Sequence, residues 1–347
     1  MKYSFLNDYS EGAHENIMAA MTASNRVQTV GYGTDEFCDR ARSLILAEIK
    51  RPDSLVHFLV GGTQANLTVA AALLRPHQGM ISAESGHVNV HESGAIEATG
   101  HKVLTIPSPD GKLTAKAVEK LIKTHYDDPT AEHMVQPGMV YVSQPTELGT
   151  VYRKQELAEL AEVCRRYHIP LYLDGARLGC ALTCRGNDLT LPDIAELTDL
   201  FYIGGTKMGA LFGEALVINR PELGADFRSI IKQRGGMLAK GRLLGIQFET
   251  LFTDGLYFKL AQHANDMAER LANGIAALGY SFAAEAVTNQ LFPIMPKAVL
   301  ARLDEDFIFS VQSAVDGTQD MIRLCTSWAT DANMVEKFLE KLKEYTV

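Results

Sequence analysis

One apolar run in this sequence ends in a single lysine: Asp199-Leu-Phe-Tyr-Ile-Gly-Gly-Thr-Lys207-Met-Gly-Ala210. An earlier apolar run, Ile169-Pro-Leu-Tyr-Leu173, ends in Asp174-Gly-Ala-Arg177. Both runs have the length and residue types of buried β-strands. Most lysines are solvated surface charges and most aspartates at strand ends cap helices, so neither residue alone indicates a function. Together they place a carboxylate and an amine after two strands of one predicted sheet.

An aspartate followed by a lysine in this context suits an enzyme that uses pyridoxal phosphate. The lysine forms a Schiff base with the cofactor aldehyde, and the aspartate pairs with the pyridine nitrogen. That pairing keeps the nitrogen protonated, so the ring can accept electrons from a bond that breaks at the substrate Cα. Asp174 and Lys207 are therefore predicted to be catalytic.

Strands and helices alternate along most of the chain. Apolar strands of four to six residues between helices predict an α/β fold with a mostly parallel sheet covered on both faces, and ligands bind beyond the strand carboxyl ends. Among the predicted helices, one has Thr34 as its N-cap and another runs from Glu92 to Thr99. After about residue 250 the pattern changes to one long helix and several short strands. We predict a large domain over 1–250, with an N-terminal arm at 1–15, and a small α+β domain over 251–347.

The turn after the strand at Leu55 to Val60 has the composition of a phosphate site. It reads Gly61-Gly62-Thr63-Gln64, and a helix follows it. Backbone N–H groups at a helix N-terminus bind phosphate, and glycine lets the backbone approach. It is not a Walker loop, because no Gly-Lys-Ser/Thr follows. Many βα turns contain glycine, so this turn becomes the predicted phosphate anchor only in the company of Asp174 and Lys207.

Two of the ten histidines, His87 and His91, fall in one polar segment. A histidine there could lie flat on the pyridine ring or handle a proton. For His91 a hydrogen-bonded loop position is the preferred interpretation. The spacing also suits a metal site on a helix, but a third ligand is not in view, so we predict none.

Composition excludes several other classes of protein. The 347 residues carry a net charge of −9, and no run is rich in lysine or arginine, so nucleic-acid binding has no electrostatic support. We expect no membrane segment and no signal peptide, since no apolar stretch approaches the roughly 20 residues that span a bilayer. The five cysteines form no C-x-x-C pair, and Cys180 and Cys184 are interpreted as packing residues. Reduced thiols favour a cytoplasmic protein.

Six short stretches, in this order and spacing, carry a resemblance to a known family. The chain resembles the low-specificity L-threonine aldolases, within the β-eliminating lyase group of fold-type I pyridoxal-phosphate enzymes. The resemblance implies the fold of the aspartate aminotransferases, although those enzymes do not typically share the Asp-Gly-Ala-Arg-Leu or His87 context. The matching stretches are Gly61-Gly62-Thr63-Gln64-Ala65-Asn66, Ala83-Glu84-Ser85-Gly86-His87, Ser143-Gln-Pro-Thr-Glu147-Leu-Gly-Thr150, Leu173-Asp174-Gly175-Ala176-Arg177-Leu178, Gly205-Thr206-Lys207 and Ile322-Arg323-Leu-Cys-Thr-Ser327-Trp328.

The resemblance assigns a role to each matching residue. Lys207 and Asp174 keep the roles given above, His87 stacks on the ring near the substrate hydroxyl, and Arg177 lies beside the cofactor. Arg323 grips the substrate carboxylate, a task that suits a bidentate guanidinium; the alternative is a structural ion pair. The implied phosphate ligands are Gly62, Thr63 and Gln64, and the implied substrate ligands are Asn7, Arg177 and Arg323.

The chain departs from the family pattern at two places. Asn7 stands where the family often has a serine that helps to bind the carboxylate, but an amide can still donate a hydrogen bond. The loop Lys232-Gln-Arg234-Gly-Gly-Met237-Leu238 has leucine where the family often has a basic residue. Which of Lys232, Arg234 and Lys240 contacts the cofactor or substrate is left open.

The predicted reaction is retro-aldol cleavage of L-threonine and L-allo-threonine to glycine and acetaldehyde, with His87, directly or through water, as the base. The alternatives are β-elimination, transamination or racemisation on the same cofactor, and a non-catalytic binding protein on the same fold. The resemblance also implies a homotetramer, a dimer of dimers with active sites at the dimer interface. The threo/allo preference, the β-substituent and the physiological direction stay open.

Overall fold

Apolar periodicity and side-chain caps fix the helices. Thr114 and Thr190 accept hydrogen bonds from backbone N–H groups three residues on, as N-caps do. The computed structural model describes residues 2–346. Its α-helices there are α1 (Glu15–Ser24), α2 (Glu36–Ile49), α3 (Gly62–Leu73), α4 (His87–Val90), α5 (Ala115–Tyr126), α6 (Lys154–Arg166), α7 (Leu178–Thr183), α8 (Leu191–Leu197), α9 (Phe227–Gln233), α10 (Arg242–Phe252), α11 (Leu256–Ala277), α12 (Lys297–Leu303) and α13 (Ala332–Thr346).

The strands alternate with these helices over the first two thirds of the chain and cluster together afterwards. The strands are β1 (Tyr3–Ser4), β2 (Leu55–Leu59), β3 (Gln78–Ala83), β4 (Val103–Ile106), β5 (Gln136–Ser143), β6 (Leu171–Asp174), β7 (Leu200–Gly204), β8 (Glu214–Ile218), β9 (Gln290–Leu291), β10 (Ile294–Pro296), β11 (Phe307–Ile308), β12 (Ser310–Ala314) and β13 (Gln319–Cys325).

Seven strands form one sheet in the order β2-β8-β7-β6-β5-β3-β4. Only β8 runs against its neighbours, and the other six strands share one direction. Most of their residues are buried, because helices cover both faces. The predicted α/β fold with a mostly parallel sheet is confirmed.

The register of the strands brings the reactive residues to one edge of the sheet. Ser143 at the end of β5 is paired with Asp174 at the end of β6, and Gly204 at the end of β7 is paired with Glu214. Lys207 follows Gly204 in the turn between β7 and β8. The carboxyl edge of the sheet therefore carries Asp174 and Lys207 side by side, as a ligand site in such a sheet requires.

The last third of the chain forms a separate small sheet with its own apolar core, apart from the large core around the seven-stranded sheet. Strands β10, β13 and β12 pair antiparallel, and β9 also pairs with β13. The N-terminal segment joins this part: β1 pairs with β11, and Phe5 is buried in the small core. Helix α11 contributes to both the large core and the small one. The division at residue 250 stays a prediction.

Two sequence predictions of helix ends are wrong. Asp35, not Thr34, caps α2, since its carboxylate accepts a hydrogen bond from the N–H of Cys38 at 3.0 Å. Both residue types are good N-caps, so local propensity does not separate them. The helix predicted over 92–99 is reduced to a 3₁₀ turn, Glu97–Thr99, because Ser93 and Gly94 take positive φ.

None of the helices within residues 2–346 has the length and apolar character needed to cross a membrane. The five cysteines, all in this range, are buried and unpaired.

Candidate active site

A cavity of about 330 Å³ lies at the carboxyl edge of the large sheet. It collects residues from loops that are far apart in sequence. The predicted site residues that line it are Gly62, Thr63, His87, Asp174, Arg177 and Lys207. Glu147 and Glu214 line the same cavity, although no role was predicted for either residue.

Asp174 is held by four donors at the end of β6. The hydroxyl of Tyr141 donates to Oδ2 at 2.7 Å, and the amide of Asn66 donates to the same oxygen at 3.1 Å. The hydroxyl of Tyr202 and the N–H of Ala176 donate to Oδ1. The carboxylate is buried, and these bonds fix its orientation in the cavity wall.

Lys207 lies among several charged groups. Burial lowers the pKa of its amine, and the positive charge of Arg177 lowers it further, while Asp8, Asp174 and Glu214 act in the opposite direction. A lowered pKa increases the fraction of the amine that is unprotonated and nucleophilic near neutral pH. This is the state in which a lysine can attack an aldehyde.

Glu214 is the buried carboxyl beside this lysine. Its two oxygens accept hydrogen bonds from the hydroxyl of Thr206 at 2.9 Å and the N–H of Gly205 at 3.1 Å. Burial raises its pKa to about 8, against the lowering effects of the Thr206 bond and of Lys207.

The start of α3 supplies backbone donors to the cavity. The first helical bond joins Ala65 N to Gly61 O, so the N–H groups of Gly62, Thr63 and Gln64 have no acceptor within the helix. Gly61 makes no side-chain cap. A Cβ on Gly62 would lie 2.8 Å from the Tyr202 hydroxyl, so glycine allows the helix to approach strand β7.

The side chain of Gln64 turns away from the cavity. Its Oε1 accepts from the N–H of Val60 at 3.1 Å, and its Nε2 donates to the carbonyl of Arg234 at 3.5 Å. A phosphate contact from Gln64 would therefore come from its backbone N–H.

His87 begins α4 and is oriented by a buried carboxylate. Its Nδ1 lies 2.8 Å from Oε1 of Glu92, which also accepts from the amide of Asn66 at 2.7 Å. Burial alone would lower the pKa of His87, but the Glu92 bond and the charges of Asp174 and Glu92 outweigh it and raise the pKa. Asn66 therefore donates both to Glu92, which orients His87, and to Asp174.

Arg177 forms a buried ion pair with a residue of the N-terminal arm. Its Nε and Nη2 donate to the two oxygens of Asp8 at 2.6 and 3.0 Å, and Asn289 also donates to Asp8 at 2.9 Å. Burial alone would raise the pKa of Asp8, but the positive charges of Arg177 and Lys207 lower it to about 2. Asp8 therefore fixes Arg177 at the cavity wall and ties the arm to the large sheet.

The two remaining predicted substrate ligands lie outside the lining of this cavity. Arg323 on β13 donates from Nη2 to the carbonyl of Leu6 at 3.2 Å, and its buried Nε has no partner among residues 2–346. Asn7 accepts from the N–H of Tyr9 and the hydroxyl of Ser10, which leaves its amide nitrogen as the donor. Their substrate contacts stay predictions. His91 lies beside His87, with ring centroids 5.7 Å apart.

The residues present fit pyridoxal phosphate. The uncapped start of α3 supplies donors for a phosphate, Asp174 supplies a fixed carboxylate for a ring nitrogen, and Lys207 supplies an amine of lowered pKa. Within residues 2–346 no group of three or more His, Cys, Asp or Glu side chains is arranged to hold a metal ion.

The chain is similar to known proteins along most of its length. A family model described as beta-eliminating lyase matches residues 5–298. A low specificity L-threonine aldolase from Pseudomonas aeruginosa is 30% identical over 347 residues, which cover 98% of this chain and 96% of the relative. A second, from a Pseudomonas species, is 31% identical over 308 residues, 87% of this chain and 84% of the relative.

Solved structures agree with these sequence matches. A threonine aldolase from Leishmania major is 47% identical and superimposes with a TM-score of 0.97, covering 99% of this chain and 100% of that one. An aspartate aminotransferase from Thermus thermophilus superimposes with a TM-score of 0.71 at 17% identity, covering 99% of this chain and 91% of that one. The second match concerns the fold alone, and it confirms the predicted aspartate aminotransferase-like architecture.

Proposed function

The chain belongs to the beta-eliminating lyase family, and on this premise we propose that its cavity cleaves L-threonine and L-allo-threonine to glycine and acetaldehyde. It is a pyridoxal-phosphate-dependent carbon–carbon lyase that acts by retro-aldol scission of the Cα–Cβ bond. The observation that carries the proposal is the convergence of Lys207, Asp174 and the uncapped start of α3 on one cavity.

Each residue has a separate task in this reaction. When bound, pyridoxal phosphate supplies an aldehyde for the substrate amine and a ring that withdraws electrons from the breaking Cα–Cβ bond. Lys207 would hold the cofactor through its amine. Asp174 favours a proton on the ring nitrogen by charge pairing. The N–H groups of Gly62 and Thr63 would bind the phosphate, and Arg177 would contact the cofactor.

His87 is proposed to contact the cofactor ring and the substrate hydroxyl. Its Nδ1 is bonded to Glu92, and this bond contributes to the raised pKa of the imidazole. The choice of His87 as the base stays a prediction.

Replacing Arg323 with alanine should weaken substrate binding by about 1.5–3 kcal/mol, because a charge-assisted contact with the substrate carboxylate is lost. The measurement is titration of threonine and of the cofactor by absorbance. Arg302→Ala, which removes an exposed pair with Glu344, serves as the control. An equal loss of cofactor and substrate binding, with unfolding, would assign Arg323 a structural role.

Other reactions on the same cofactor give different products, so a steady-state comparison across β-hydroxy-α-amino acids tests the proposal. Retro-aldol cleavage yields glycine and an aldehyde from each substrate. β-Elimination yields a 2-oxo acid and ammonia, and transamination requires an amino acceptor. A protein that only binds the cofactor would show its absorbance without turnover.

We also propose a homotetramer in which each active site lies at a dimer interface. The N-terminal arm packs on its own chain, so it does not by itself call for a partner. Several large apolar side chains are exposed on α1 and on the segment between α1 and α2, as at an interface. They are Met18, Val27, Val30 and Tyr32.

Light scattering should give a mass about four times that of the chain. A Val30→Asp variant should shift the protein toward smaller species and reduce its activity, because a buried charge at an interface is costly. A fully active monomer would contradict the shared-site assembly.

The proposed location is the cytoplasm. Five unpaired, buried thiols support it, since oxidising compartments favour disulfides.

A further inference from the structure

Glu147 is a partly buried carboxyl in the active-site cavity without an assigned role. It follows β5 in the loop 144–150 and lines the same cavity as His87, Asp174 and Lys207. Its side chain therefore faces the space in which the substrate is cleaved.

The loop that carries Glu147 is fixed in place by hydrogen bonds. The side chain of Gln144 accepts from the N–H of Tyr152 at 2.8 Å and donates to its carbonyl at 3.1 Å. Thr146 N donates to Thr150 O at 2.9 Å, and the Thr150 hydroxyl donates to the carbonyl of Asp110 at 2.7 Å. A carboxyl on this loop has a defined position, as proton transfer requires.

The known contacts of Glu147 use a single carboxylate oxygen. Oε1 accepts from the hydroxyl of Ser143 at 2.7 Å and from the backbone N–H of His87 at 2.9 Å. These bonds tie the loop to the start of α4. A glutamine could accept both of them with its amide oxygen, so the contact with α4 and the ionisation of the carboxyl can be tested separately.

The surroundings of Glu147 and His87 raise the pKa of both groups. Burial raises the pKa of Glu147, and the negative charge of Asp174 adds to the rise, while the Ser143 bond opposes it. The negative charge of Glu147 in turn contributes to the raised pKa of the phenols of Tyr141 and Tyr152. Glu147 is thus a stronger base than a solvated glutamate. The bond to Glu92 likewise raises the pKa of His87.

We propose that Glu147 is the general base that removes the β-hydroxyl proton of the substrate, with His87 in contact with the same oxygen. As the O–H bond breaks, the proton passes to the carboxylate and the C=O bond of the aldehyde forms. The Cα–Cβ bond breaks, and its electron pair stays on the glycine fragment. A proton then returns to Cα, directly or through solvent, so no other reactant is needed. This inference rests on the proposed cleavage of β-hydroxy-α-amino acids.

The deciding variant is Glu147→Gln in the cofactor-loaded protein. It keeps the acceptor for Ser143 and His87 but removes the base, so kcat for threonine should fall about 100-fold or more. In the unaltered protein, kcat should fall as the pH drops through the raised pKa of Glu147, because the base must be ionised. The variant should lose this acid limb, whereas a purely structural role would leave it unchanged.

Exchange of the glycine α-proton with deuterated solvent, followed by NMR, separates this inference from the proposed function. Glycine has no β-hydroxyl, so Glu147→Gln should keep the exchange while it loses threonine cleavage. Glu84→Gln, an exposed change in the preceding turn, is the matched control.

Three results would overturn the assignment. The first is normal threonine cleavage by Glu147→Gln, and the second is an acid limb that persists in the pH profile of this variant and therefore belongs to His87. The third is an equal loss of exchange and cleavage, which would mark a structural role for Glu147. If the unaltered protein performs neither reaction, the proposed function itself fails.

Discussion

Replacing Lys207 with alanine should reduce threonine cleavage by at least about three orders of magnitude, because the amine that holds the cofactor is lost. The lysine lies in the turn between β7 and β8 with a lowered pKa, so it is prepared to react with an aldehyde. The protein should also lose the visible absorbance of the linked cofactor. Steady-state kinetics and an absorbance spectrum measure both effects.

The control for this variant is Lys154→Ala, which removes an exposed lysine paired with Asp193. It should keep both the absorbance and the activity. Borohydride treatment of the unaltered protein should fix the cofactor to the peptide that contains Lys207. Labelling of a different lysine would remove Lys207 from its role.

Replacing Asp174 with asparagine should lower kcat by about 100-fold or more while the fold is kept. The change removes the charge that pairs with a protonated ring nitrogen, and electrostatic groups of this kind contribute on this scale. In the unaltered protein, Tyr141 and Asn66 donate hydrogen bonds to the carboxylate. The asparagine would place an amide nitrogen, itself a donor, next to such donors. Kinetics at saturating cofactor, with circular dichroism to check folding, measure the effect.

Asp128→Asn, a change at an exposed turn, is the matched control and should leave kcat unchanged. Near-normal turnover of Asp174→Asn with bound cofactor would show that the carboxylate does not tune the ring.

The carboxyl-edge residues could be predicted from sequence because they depend on local patterns. Asp174 and Lys207 each follow a run of buried apolar residues, and parallel strands bring such positions together. The glycines before α3 are likewise part of a local turn pattern. The structure brings all of these residues to one cavity.

The residues that orient the cavity-lining side chains could not be predicted in the same way, because they depend on contacts between distant segments. Asp8 meets Arg177 across 169 residues of sequence, and Asn66 meets Asp174 across 108. Glu92 was assigned to a helix, although it is the hydrogen-bond partner of His87. Glu147 stands inside a matching stretch, but only its position beside His87 N and Ser143 indicates a role.

The central claim is that this chain breaks the Cα–Cβ bond of threonine with a cofactor held by Lys207. The most direct test is to incubate the purified, cofactor-loaded protein with L-threonine and quantify all products by NMR. We expect glycine and acetaldehyde in equal amounts, with neither formed by Lys207→Ala. Formation of 2-oxobutanoate and ammonia, or cleavage that persists without Lys207, would contradict it.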